Sequence, residues 1–441
     1  MKRLSKLLIL VMTLALIASA CVSGTSETTT TPTTQAATTT TSGQATVTTT
    51  TAPAATTTAA APVETIKIGA IHPLTGALAG AGTKMDNAAK MAVADINEAG
   101  GIASLGGAKL ELLSADSTGA PEVGQAEAER LVGEGVVGLI GSYQSSVTTN
   151  VAAIAERSNV PLVIDVAVAD SILQQGYKYS FRVQPNATAM GKYGAEFLNT
   201  VATAAGEPVT KVSYLHEESG FGTSVFEAFK AAAADYGIEV VAEIPYGAFT
   251  VTDLTTEMTQ AAAPKPDVIV VTGYYNDGLL AARAAKDLAV DVKAIFGVAN
   301  GAFDTPEFTA DFAAGAEGFF DSNYHYNAAS TKVADVRDRY QAQYGELMDT
   351  ASVLAYQAVV VLADAIERAG STDPTAIRDA LSQTNLSDHL MAYPGPIKFN
   401  SAGENVNAQP VLMQVQNGAV QQVWPAELQE SQPKYPAVSW K

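Results

Sequence analysis

Apolar positions change period at regular intervals from Glu64 onward. "TIKIGAI" (65–71) is a short apolar run of the kind a buried strand presents. In "GTKMDNAAKMAVADINEAGG" (82–101), Met85, Ala88, Ala89, Ala92, Val93 and Ile96 recur at helical spacing, and a Gly-Gly pair ends the run. The alternation continues with a strand in "KLELLSAD", a helix in "PEVGQAEAERLVGEG", a strand in "VVGLIG", a helix in "SSVTTNVAAIAERSN" and a strand in "PLVID". After "FRVQPNATAM" it restarts. Strands are expected in "KVSYLHEE", "EVVAEIPY", "DVIVVTGYY" and "VKAIFGVAN", and helices in "FGTSVFEAFKAAAADYG", "VTDLTTEMTQAAA" and "DGLLAARAAKDLA". Strand and helix in turn with short loops predict an α/β fold of parallel sheets covered by helices, here two doubly wound, Rossmann-like lobes.

A third block closes the chain. "ASVLAYQAVVVLADAIERAG" is a long apolar helix, and "DPTAIRDALSQ" is a second one with Asp373 as N-cap and Pro374 at its first position. "GPIKFN" and "PVLMQVQNGAVQQVW" read as strands, the latter a hairpin about Asn417-Gly418.

The two lobes echo each other. "LIGSYQSS" and "VVTGYYND" each run from an apolar strand through Gly to a polar or aromatic cluster and then a helix. Open α/β sheets bind ligands beyond the carboxyl ends of their strands. Ser142, Tyr143, Gln144, Ser145 and Ser146 therefore form a candidate ligand loop, where a helix start supplies free N–H groups and a positive dipole end. His72, ending the first strand, is a further candidate. So is Asp165, which interrupts the apolar run "VPLVIDVAVADS". Its alternative role is a strand-end acid that binds local backbone N–H groups. Asp170 reads as the cap of a helix over "SILQQG". Tyr274 and Tyr275 follow a strand, where neighbours face opposite ways, and Tyr274 is taken as the one facing the cleft.

Length and composition narrow the function. The 441 residues exceed one compact core. A net charge of −19 disfavours nucleic acid and anionic membrane surfaces. Lys2, Arg3 and Lys6 precede the apolar run Leu7 to Ala18, which marks 1–20 as an export signal. Its removal lowers the charge by three, to −22. Cys21, the only cysteine, stands at the cleavage point, as a lipidated N-terminus or as a free thiol after ordinary cleavage. Residues 21–63 are a Thr/Ala/Pro tract that cannot bury enough apolar surface to order itself, and read as a tether to a membrane anchor.

Reactive constellations are missing. "GALAGAGTK" has Thr83-Lys84 in the wrong order for a phosphate loop. His72, His216, His325 and His389 lack ligand spacing. No catalytic residues, cofactor or metal are expected.

The stretch "IKIGAIHPLTGALAGAGTKMDNAAKMAVADINEAGGI" resembles the opening of the type I periplasmic binding proteins of branched-chain amino-acid ABC transporters, the leucine/isoleucine/valine-binding class. "VVGLIGSYQSS", "QQGYKYSFRVQP", "YLHEESGFGTS", "VVTGYYNDG" and "DTPEF" follow in that family's order. The resemblance implies a Venus flytrap: two lobes joined by a three-segment hinge that close on a small ligand. Lobe one would comprise 64–184 and 327–401, and lobe two 185–326 and 402–441. It implies that Ser145 grips a ligand carboxylate, that Ile164 to Val168 occupy the register of a Ser-Pro-Ala-Ala-Thr grip, and that Phe221, Tyr274 and Tyr275 face it from lobe two. Val166, Ala167 and Val168 replace the usual polar end of that grip. The family's acid for the ligand ammonium falls at Ala299 or Asn300 and is absent, which leaves Asp165, Glu217 or Glu218 as substitutes, or a ligand without an ammonium. Gln144 stands where the family has a cysteine. The implied function is a lipid-anchored, monomeric solute-binding protein handing an amino acid or related carboxylate or amide to ABC permease subunits. A receptor's sensing domain and a surface adhesin are the alternatives.

Overall fold

The computed structural model describes residues 65–437. The export signal, Cys21 and the tether expected over 1–63 lie outside the described residues. The first sheet holds β1 (Ile66–His72), β2 (Leu110–Asp116), β3 (Leu139–Gly141), β4 (Leu162–Ile164) and β5 (Ser180–Arg182), all parallel, in the order β2-β1-β3-β4-β5. Its crossovers are α1 (Ala79–Glu98), α2 (Pro121–Gly133) and α3 (Ser145–Ser158). These strands read as almost unbroken apolar runs because helices cover both faces of the sheet.

From residue 183 the chain leaves this sheet. α4 (Ala187–Ala204) is capped by Asn186, whose carboxamide oxygen accepts the Ala189 N–H at 3.0 Å. Then follow β6 (Lys211–Glu217), α5 (Gly220–Asp235), β7 (Glu239–Tyr246), α6 (Thr255–Ala262), β8 (Val268–Gly273), α7 (Tyr275–Asp287), β9 (Ala294–Asn300), α8 (Pro306–Phe312) and β10 (Phe320–Asn323). α4 lies so close to α5 that a Cβ on Gly191 would meet the Phe229 nitrogen at 2.3 Å. Beyond β10 the chain returns to the first lobe with α9 (Thr331–Tyr344), α10 (Thr350–Ala369) and α11 (Pro374–Ser382). α10 is apolar enough to cross a membrane, but it is a core helix buried against α1, β3 and β4. Last come β11 (Val411–Gln416) and β12 (Ala419–Trp424), which pair antiparallel and complete a seven-stranded sheet, β12-β11-β10-β9-β8-β6-β7.

The expected architecture of two helix-covered lobes stands, with one change. The second sheet is mixed, because the hairpin about Asn417 and Gly418 (φ +56° and +76°) adds an antiparallel edge. Asp373 caps α11 through the Ala376 N–H, and Pro374 is its first residue. Several local expectations fail. "GPIKFN" forms only isolated bridges, Leu386 with Ile397 and Phe399 with Asn405. Residues 251–254 precede α6, where Asp253 takes the Thr255 N–H and hydroxyl. "SILQQG" forms no α-helix: a single 3₁₀ turn spans Asp170–Ile172, and Asp170 is its first residue rather than its cap. The Asp170 carboxylate instead accepts the Thr188 hydroxyl at 2.5 Å, tying this loop to the start of α4. α9 escapes the apolar pattern because only Val333, Val336 and Tyr340 are buried along it.

The chain passes between the sheets three times, after β5, after β10 and before β11. Asn405 Nδ2 donates to the Val183 carbonyl (2.9 Å), which braces the third passage against the first, and Gln422 Nε2 of β12 donates to the Tyr326 carbonyl (2.9 Å), which ties the second passage to the mixed sheet.

Candidate ligand-binding cleft

The carboxyl ends of β1, β3 and β4 face those of β6, β8, β9 and β10, and two adjoining chambers lie between them. The smaller, about 30 Å³ and wide enough for one water, is lined by Tyr143, Ser145, Val166 and Val168 from the first lobe. Phe221, Gly273, Tyr274, Ala299, Gly301 and Tyr324 close it from the second. The larger chamber, about 390 Å³, shares Tyr143, Gly301 and Tyr324 with the first. It extends between the starts of α1, α7 and α10, past Lys84, Asn276, Asp304, Glu307, Asn323 and Asp349.

The walls touch. The Tyr143 ring lies 5.9 Å from Tyr274 across the cleft, and Tyr274 is flanked by Phe221 and Phe249, each at 5.3 Å. Lys84 on α1 pairs with Glu307 on α8 at 2.5 Å, and its ammonium lies 3.9 Å from Asp349. Gly273 makes the bend into α7 feasible, because a Cβ there would lie 2.1 Å from the Asp277 carboxylate and 2.3 Å from the Tyr246 hydroxyl.

The ligand loop divides into lining and supporting residues. Ser145 is the first residue of α3, and its hydroxyl accepts the Ala169 N–H at 3.2 Å, fixing the facing loop. Ser142 is buried against the Thr148 hydroxyl at 3.2 Å, and Gln144 donates to the Gly119 carbonyl at 3.0 Å. Ser146 is exposed and lines neither chamber. Ala167 turns into the core of the first lobe, and its carbonyl accepts from Gln184 Nε2 at 2.6 Å.

His72 and Asp165 do not face the cleft. They pair with each other at 2.8 Å, both with no exposure, and Asp165 also accepts the Val166 N–H at 2.7 Å. Asp165 thus fixes the start of the Val166–Val168 loop from behind. Glu217 is likewise occupied, by the Ser219 hydroxyl (2.7 Å) and the Ser219 and Gly222 N–H groups, and Glu218 is exposed. The Asn300 carboxamide accepts the Ala302 and Phe303 N–H groups, so its neighbours Ala299 and Gly301 line the chambers instead. Tyr275 corrects a premise. It begins α7 rather than extending β8, so Tyr274 reaches the small chamber while Tyr275 reaches the large one.

Sequence reasoning missed Lys84, Asp304, Glu307, Asp349 and Tyr324. Asp349 carries a local signal: it precedes a long apolar helix and accepts the Ser352 N–H at 2.8 Å as N-cap of α10. Asp304 carries none. Burial, with Asp349 and then Glu307 adding repulsion, holds its carboxyl far above the ordinary range. Asp321 behind it is raised by burial and by Asp304. Burial alone would lower Lys84, but Asp349 and Glu307 outweigh it and hold the ammonium charged.

Burial pushes Asp277 up to about 7, against hydrogen bonds from the Tyr246 hydroxyl and the Tyr274 N–H. Below that pH the folded chain keeps a proton that the unfolded chain has already released. Stability from this group is therefore full at low pH and is lost as the pH rises toward about 7, by about 1.4 kcal/mol per pH unit. Asp277→Asn is expected to gain on the parent by that slope between about pH 5 and 7 in urea unfolding. A pH-independent difference would contradict the shift.

Residues 65–419 match the periplasmic binding protein family. A curated relative, Leu/Ile/Val-binding protein homolog 8 of Brucella abortus (strain 2308), is 28% identical over 372 residues, covering 82% of this chain and 90% of the relative. Among solved structures, the leucine-binding protein LivK of Thermotoga maritima superposes with a TM-score of 0.69 at 26% identity, covering 81% of this chain and 97% of that one. The branched-chain amino acid transporter substrate-binding protein LivJ of Streptococcus pneumoniae, in complex with isoleucine, gives 0.70 at 26% identity, covering 81% and 98%.

Proposed function

The chain belongs to the type I periplasmic binding proteins of the branched-chain amino-acid class, a family of binding proteins rather than enzymes, and we propose from that premise that it is the solute-binding lipoprotein of an ABC importer. In this reading Cys21 is lipidated after export, and 21–63 tether the protein to the outer face of the cell membrane. Lobe one (64–184 and 327–401) and lobe two (185–326 and 402–441) close on a small amino-acid-like solute. The closed monomer then presents its surface to a permease.

The observation that carries this reading is the pair of adjoining chambers, about 30 and 390 Å³, whose walls come from both lobes. Tyr143, Ser145, Val166 and Val168 face Phe221, Tyr274 and Tyr324. A solute bound first by one lobe gains the contacts of the other on closure, which is the differential affinity that shifts an open-to-closed equilibrium. Ser145 suits a carboxylate, because the start of α3 offers backbone N–H groups and a positive dipole end beside its hydroxyl.

A thermal-shift screen of the full chain against aliphatic and aromatic amino acids, ω-amino acids, short carboxylates, amides and betaines tests the reading. A solute at a hundred times its Kd is expected to stabilise the fold by about 2.7 kcal/mol. No stabilisation by any member, or turnover of a member that binds, would contradict it.

A further inference from the structure

The two chambers differ in charge as well as size. Among the residues lining the small one there is no acid, and its polar side chains are the hydroxyls of Ser145 and three tyrosines. Three carboxylates line the large one, Asp304, Glu307 and Asp349, against one cation, Lys84. Lys84 is already engaged, by Glu307 at 2.5 Å and Asp349 at 3.9 Å. Asp349 is further satisfied by the Ser352 N–H and hydroxyl. Asp304 is different: it is 7% exposed, and among the described residues no other residue forms a hydrogen bond or ion pair with its carboxylate. A buried carboxylate without a counter-charge is costly, and a cation entering the chamber removes that cost.

We infer that the solute carries a positive charge set apart from its carboxylate, and that this charge is seated on Asp304 in the large chamber while the carboxylate end lies at Ser145. The inference rests on the solute-binding reading and names its substrate class: organic zwitterions with separated charges, such as ω-amino acids and betaines. An α-amino acid places both charges in one chamber and leaves one without its partner. Tyr143 and Tyr324 border both chambers, so their rings line the passage between the two ends, where ring faces attract a cation. Among the described residues no group of three or more His, Cys, Asp or Glu is placed to hold a metal ion, which favours an organic cation as occupant.

Calorimetric titration of the full chain with 4-aminobutyrate, 5-aminopentanoate, 6-aminohexanoate, glycine betaine, pentanoate and isoleucine tests the inference. At least one separated zwitterion is expected to bind roughly a hundredfold tighter than pentanoate or isoleucine, as a desolvated charge pair implies. Asp304→Asn and Asp304→Ser are each expected to lose about that factor for the same zwitterion while keeping a cooperative thermal transition. Isoleucine binding as tightly as the best zwitterion, or retained zwitterion affinity in a folded Asp304 variant, would overturn the inference and leave the solute-binding reading standing. Silence of all six probes would also overturn it; the solute-binding reading falls only if the wider thermal-shift screen is silent too.

Discussion

Arg182→Met is expected to cost about 3–5 kcal/mol of stability in urea unfolding, because it removes one partner of a buried, charged network. Arg182 ends β5 with no exposure, the largest fully buried side chain among the described residues. Its guanidinium donates to the Val168 carbonyl and, at 2.7 Å, to the Ala169 carbonyl, and it lies 3.6 Å from Glu404. Without it both carbonyls lose a donor and Glu404 loses its counter-charge. The damage reaches the cleft, since Val168 lines the small chamber and its carbonyl also accepts the Ala187 N–H at the first passage between the sheets. Arg182→Lys is expected to recover only part of the loss, because an ammonium cannot reproduce the planar fork. A loss under about 1 kcal/mol for Arg182→Met would show that the network carries little of the fold.

Tyr274→Ala is expected to weaken solute binding by roughly 30- to 1,000-fold, the range of a buried aromatic hot spot. Tyr274 is the centre of the aromatic wall, in contact with Tyr143 of the other lobe and with Phe221 and Phe249 of its own. Its truncation opens the small chamber and removes a direct bridge between the lobes, so both the contact and the closure suffer. Folding is largely kept, because the α7 cap uses the Tyr274 backbone N–H and the Asp277 side chain. Tyr274→Phe is expected to retain most of the affinity. The check is the Kd of whichever probe binds the parent most tightly, and a change of less than about threefold for the alanine variant would place the solute elsewhere.

The fold was legible wherever a local pattern decides a local outcome. The Gly-Gly stop of α1, the Asp373-Pro374 start of α11 and the Asn417-Gly418 hairpin each act through their own backbone. The cleft was legible in outline, because strand ends followed by Gly and polar clusters must meet at one edge of each sheet. What escaped was long-range. Asp165 looked like a cleft acid, but its partner is His72, 93 residues away. Asp304 opens the stretch "DTPEF" and carries no local sign of burial, and only folding brings it against Asp349 and Glu307. Lys84 reads as one more polar position of α1, yet it reaches Glu307, 223 residues on and in the other lobe. Tyr275 was misjudged because α7 begins one residue after Tyr274, which replaces strand alternation with helical geometry.

The claim that the solute sits between the lobes is tested most directly by backbone hydrogen exchange of the full chain, with and without saturating probe from the titration series. The account predicts slowed exchange on both walls together, at 143–147 and 166–169 of the first lobe and at 273–276 and 299–305 of the second. A probe that raises the melting temperature while slowing exchange on one wall only, or on neither, would contradict it.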